Sequence, residues 1–172
     1  MKVSAKQILV AVISLVMTLG VLLGGEKLYR STIVDSPLMS NLGAIRGVRQ
    51  ASLQGSVVTV RPQSGADLMT VYQAVAASAA RALGHAPAKI VLQSRSNATL
   101  NQLADNAAFV IAQAEATGQF VSMKHSLEQQ AQADGARATV ELDSHHVYIT
   151  WHQQHAVLYD VQPIEIGGSS HA

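Results

Sequence analysis

Four of the seven histidines in this 172-residue chain, His145, His146, His152 and His155, fall within eleven residues near its C-terminal end. Imidazole titrates close to neutral pH and is a common metal ligand. A fold that brought two or more of these rings together could hold a transition metal, or could make a surface respond to pH. The spacing speaks against a metal. There is no H-E-x-x-H, no His-x-His, and no carboxylate or cysteine at a recognised ligand separation. The four rings are therefore expected as exposed polar groups at two hairpin turns.

Other reactive constellations are weaker still. The chain has no cysteine, so thiol chemistry, disulfides and lipoprotein anchoring are excluded. No serine sits in a G-x-S-x-G elbow, and Gly167-Gly168-Ser169-Ser170 lies in a terminal tail. Glu141 and Asp143 are two apart on one strand and read as a solvated sheet face. Asp134-Gly135 is a helix end without the ligand series of a calcium loop. Glycines are scattered at element ends, so no phosphate-cradling loop is evident. Asn97-Ala98-Thr99 matches a glycosylation sequon but also opens a helix. No catalytic set and no cofactor motif emerges, and no enzyme activity is expected.

The histidines are positioned by three strand-like runs, residues 138–142, 147–151 and 156–161, joined by loops of hairpin length. Strict alternation places Val147, Ile149 and Trp151 on an apolar face, expected in the core. It places His146, Tyr148, Thr150 and His152 on the other, where Tyr148 and His152 are candidates for a contact surface.

Two helical patterns precede this meander. Leu100, Leu103, Ala107, Val110, Ile111 and Ala114 form one stripe behind a Thr99-x-x-Gln102 capping box. Phe120, Met123, Leu127 and Ala131 continue it beyond Gly118, which stops or kinks the helix. Further upstream, Ser36-Pro37 starts a helix carrying Leu38, Leu42 and Ile45, which Gly47 ends. Strands follow at 48–53 and 57–61 around Gly55, then a helix over 67–83 and a strand over 89–93. The fold class is α+β: an α-β-β-α-β unit, a long or broken helix pair, and a C-terminal antiparallel meander.

Ahead of all this stands an uncharged run at residues 8–25, just after Lys2 and Lys6. Ile8, Leu9, Val10, Val12, Ile13, Leu15, Val16, Leu19, Val21, Leu22 and Leu23 supply its apolar surface. About 20 mostly apolar residues span a bilayer, so the run is expected to be an uncleaved transmembrane signal anchor. No A-x-A cleavage pattern precedes Glu26. Lys2, Lys6 and the amino terminus favour a cytoplasmic N-terminus and an extracytoplasmic remainder. Gly20 and Gly24 have GxxxG spacing, which permits close helix–helix approach.

The expected organisation is an anchor over residues 1–30, an α-β-β-α-β subdomain over 31–96, helices plus meander over 97–163 packed with it as one domain, and a tail over 164–172. Beyond Arg30 there are eight basic and ten acidic residues with no basic stripe along the sequence, so a nucleic-acid footprint is missing. The expected partners are the lipid bilayer and a protein, either another chain or a second copy.

Val34-Asp35-Ser36-Pro37-Leu38, Leu42 and Ile45-Arg46-Gly47-Val48 carry a resemblance to a family. Leu68 with Tyr72, Ala114-x-x-x-Gly118-x-Phe120 and Leu158-Tyr159-Asp160-Val161 add to it. The chain resembles a small group of single-pass, membrane-anchored proteins of Gram-positive, often spore-forming, bacteria. That resemblance implies an anchored extracytoplasmic domain and no particular activity. In topology alone, the first unit is similar to ring-building domains of secretion and sporulation complexes and to BON-type domains. The function expected is a membrane-anchored scaffolding or protein-binding module. The alternatives are a ring- or oligomer-forming subunit of a membrane complex, and a metal-binding accessory protein using the hairpin histidines.

Overall fold

The computed structural model describes residues 42–165. The apolar run at 8–25 and the first part of the helix expected over 36–45 lie outside the described residues. Within them the helix ends at Gly43, so Ile45 and Gly47 fall in the turn that follows rather than in the helix and at its stop. No described helix is long and apolar enough to cross a membrane.

The first sheet begins at β1 (Val48–Gln54), which turns through Gly55-Ser56 into β2 (Val57–Pro62). Gly55 has φ +61°, the left-handed conformation that glycine adopts without steric cost. The ladder is regular except at Arg49, an extra residue between the pairs Val48–Pro62 and Gln50–Arg61. Such a bulge re-aims one side chain.

Helix α1 (Leu68–Leu83) follows, capped by Asp67, whose side chain accepts from the Thr70 N–H, and stopped by Gly84. It carries the chain to β3 (Lys89–Leu92), which lies parallel to β2 at the far edge from β1. Val58 and Val60 point inward from β2 and meet Val71, Val75 and Ala79 of α1, with Leu42 and Val48 closing the same core.

The second half opens with α2 (Ala98–Thr117) and α3 (Phe120–Ala133). The expected Thr99 capping box does not form. Asn97 is the N-cap, its Oδ1 accepting from the Leu100 N–H at 2.9 Å, so the helix starts before Thr99. Gly118, at φ +70°, ends α2 cleanly, and the helix pair is broken rather than kinked.

Strands β4 (Arg137–Leu142), β5 (His146–Gln153) and β6 (Ala156–Pro163) form the antiparallel meander. Val140, Val147, Ile149 and Trp151 pack onto Leu100, Leu103, Ile111, Met123 and Leu127. Trp151 is fully buried, as the alternation predicts. The β5–β6 turn is tighter than expected. Ladder pairing reaches His152–Val157 and Gln153–Ala156, leaving only Gln154 and His155 to turn.

Two devices join the halves. Helix α1 packs on the first sheet through one face and on β5 through another. On the far side, Arg95 exchanges two backbone hydrogen bonds with Val157 at 2.9 Å each, tying the segment after β3 to the free edge of β6. The layers run first sheet, α1, second sheet, then α2 with α3.

Candidate functional site

The β5 strand decides where the histidines go. His146 and His152 are six positions apart along the strand, about 20 Å at roughly 3.3 Å per residue. His145 is exposed in the β4–β5 turn, beside half-buried His146. His152 and His155 stand at the opposite end of the sheet. The cluster in sequence is therefore two pairs in space. Among the described residues no group of three or more histidine or acidic side chains could hold a metal ion.

The sheet face bearing His146, Tyr148 and Thr150 is not the open surface expected. Helix α1 covers it, and Tyr148 is only 1% exposed. The Tyr148 ring lies edge-on to Tyr72 of α1 at 5.6 Å, and His146 lies 5.4 Å from Tyr72. Tyr148 is thus a contact residue within the chain, while His152, farther along β5, keeps partial exposure.

Nor are Glu141 and Asp143 a solvated pair. Glu141 accepts from the Met69 N–H at 3.4 Å, at the N-terminal end of α1, where a negative charge is favoured. Asp143 lies in the β4–β5 turn. Its Oδ1 accepts from the His145 and His146 N–H groups at 2.7 and 2.8 Å. Its Oδ2 accepts from the Tyr148 hydroxyl at 2.7 Å and from Gln73 Nε2 at 2.8 Å.

Burial alone would raise the pKa of Asp143. The bonds from Tyr148, His145, Gln73 and His146 outweigh it and hold the carboxyl well below the usual carboxylate range. Burial, then the bond to Asp143 and its charge, push the Tyr148 phenol well above its ordinary value. Burial and the same charge raise Tyr72. A carboxylate offers about four lone-pair sites, and four donors fill them here. This is a carboxylate occupied in docking α1 to the second sheet, with no acceptor left for a substrate proton.

The structure assembles a different constellation on the opposite side of the joint. Arg49 from the β1 bulge, Arg61 from the end of β2 and Arg95 from the β6 bridge line one cleft of about 400 Å³, with His155 and Tyr159 on its other wall. Arg61 Nε donates to Gln93 Oε1 at 3.0 Å. No carboxylate lines this cleft. The charge pattern along the sequence conceals it, because the three arginines are far apart in the chain. The only local signal is that none has an acidic neighbour within two residues.

A second surface feature was also missed. Phe109 on α2 is 78% exposed and Val121 on α3 is 73% exposed. Phe109 also borders a shallow cleft with Leu103, Gln130 and Ala133.

No protein-family model matches this sequence, and no curated protein or solved structure matches it either.

Proposed function

We propose that this protein is a membrane-anchored, extracytoplasmic binding or scaffolding module that acts through protein contact. Residues 8–25 supply the anchor, the N-terminus stays in the cytoplasm, and the α+β domain is displayed outside, as in the single-pass family that the sequence resembles. The observation that carries the contact reading is Phe109, a large aromatic side chain left 78% in water on a helix whose other face is well packed. Exposed aromatics are favoured anchors of protein interfaces. Catalysis has little support, since the most perturbed carboxylate, Asp143, is consumed by internal bonds. The metal-binding alternative loses its ligand set when the histidines separate to opposite ends of β5.

The test is the mass of the full-length protein purified in mild detergent. The expected result is an assembly larger than the monomer for the native chain and a monomer for Phe109→Asp, with an unchanged melting temperature. If the assembly contains only this chain, the oligomer-forming reading is the correct form of the proposal. A monomer in both cases refutes contact through this face.

A further inference from the structure

We propose that the cleft lined by Arg49, Arg61 and Arg95 is a binding site for a phosphate group, presented as a mono- or diester. The scaffold is firm. Arg95 is held by its own main chain, which bonds Val157 in both directions. The Arg61 side chain is oriented by Gln93, which occupies Nε and leaves the two terminal amino groups free to donate. Ser94 Oγ accepts from the Tyr159 N–H at 3.0 Å, so its own O–H remains available as a donor. Burial raises the pKa of the Tyr159 phenol, so its O–H stays protonated at neutral pH and can donate a hydrogen bond.

Charge gives the site its sign. Among the described residues, ion pairs involve only Lys124, His125 and His146, and none of the three arginines. Three arginines lining one cleft, with no acid among its lining residues, give it a positive potential that favours an anion. Guanidinium forks match oxyanions in bidentate fashion. Three forks with hydroxyl donors suit the several oxygens of a tetrahedral phosphate better than a single flat carboxylate. The compact cleft, rather than an extended basic stripe, fits one phosphate group instead of a nucleic-acid backbone.

Two sources carry this chemistry: a lipid headgroup and a soluble phosphorylated molecule. Only the headgroup source rests on the anchored reading above. The sixteen residues from 26 to 41 reach at most about 55 Å when extended. Leu42, where the described chain begins, is followed by Arg46 and Gly47, which line a neighbouring cleft that shares Ser64 with this one.

The experiment uses the full-length protein in nanodiscs of phosphatidylcholine, titrated calorimetrically with inorganic pyrophosphate. A parallel measurement compares backbone hydrogen exchange near Arg61 and Arg95 in discs with and without phosphatidylglycerol. Native protein should bind pyrophosphate saturably. The Arg61→Gln/Arg95→Gln variant should bind at least about tenfold more weakly, since each loses charged hydrogen bonds. Arg61→Lys, which keeps the charge and loses the fork, should also weaken binding, and Arg81→Gln on the outer face of α1 should not. Added protection in phosphatidylglycerol discs identifies the headgroup source. Pyrophosphate binding without that protection identifies a soluble one. No saturable binding by native protein, or binding equally weakened by Arg81→Gln, overturns the proposal. Arg49→Gln provides a second variant, altering one exposed side chain, should the double substitution disturb folding.

Discussion

Replacing Asp143 by alanine removes four acceptor interactions at once and tests how the two halves are held together. The bond from the buried Tyr148 hydroxyl matters most, because without it that hydroxyl loses its charged partner in a site only 1% exposed. A hydrogen bond to a charged group contributes about 1.5–3 kcal/mol, and the turn bonds to His145 and His146 add about 1 kcal/mol between them after solvent competition. The expected loss is about 2.5–4 kcal/mol, read as a lower urea midpoint of the full-length protein in detergent. Asp143→Asn should lose less and should also flatten the acid limb of the stability profile. A carboxyl held below its ordinary pKa adds stability that is fully present above the unfolded-state value near 4 and disappears as the pH falls below it. A double-mutant cycle with Tyr148→Phe should return a coupling of about 1–2 kcal/mol. A loss under 1 kcal/mol for Asp143→Ala, together with zero coupling to Tyr148→Phe, would refute the claim that this carboxylate docks α1 onto the second sheet.

Two further substitutions probe packing. Gly47 has φ +91°, and a Cβ there would stand 2.7 Å from Val71 Cγ2, so Gly47→Ala should cost about 2–4 kcal/mol. Gly55→Ala, at φ +61° with nothing within 4 Å, should cost about 1 kcal/mol, and equal losses in the two urea curves would contradict the close-approach argument. Trp151 is fully buried with its indole N–H unpartnered among the described residues, so Trp151→Phe should shift stability by less than about 1 kcal/mol while Trp151→Ala costs about 3–5. Thermal melts of the two variants that fall together would show that ring volume is not what Trp151 contributes.

Most elements were legible because their signals are local. The stripe Leu100, Leu103, Ala107, Ile111 and Ala114 is buried as its spacing predicts, and Val147, Ile149 and Trp151 share the inward face of β5. Gly84 and Gly118 stop their helices in the left-handed conformation that places glycine after a helix. The Thr99 capping box failed because Asn97 offers a cap two residues earlier, and two overlapping local signals cannot be ranked without the tertiary bond from Asn97 to Gln153.

The face of β5 marks the limit of such reasoning. Alternation correctly assigned His146, Tyr148 and Thr150 to one side, yet carried no information about what lies on that side. Helix α1 has a clear apolar stripe toward the first sheet, and its second contact face joins through Tyr72, the Gln73 amide and the Met69 backbone N–H, contacts that hydrophobic periodicity does not report. Periodicity reports which residues share a face; it does not report which distant element covers that face.

Local patterning was enough to read the α+β class, the strand alternation of the meander, the apolar stripe of α2 and an uncharged run long enough for an anchor. These follow from patterns whose range is a few residues, the reach of a helical turn or a pleat. Long-range packing is what separates the core into two clusters, parts the histidines, joins Tyr148 to Asp143 and brings Arg49, Arg61 and Arg95 to one cleft. Those outcomes depend on which elements pack together across tens of residues, and close packing makes that choice through shape and partner chemistry that no local spacing records.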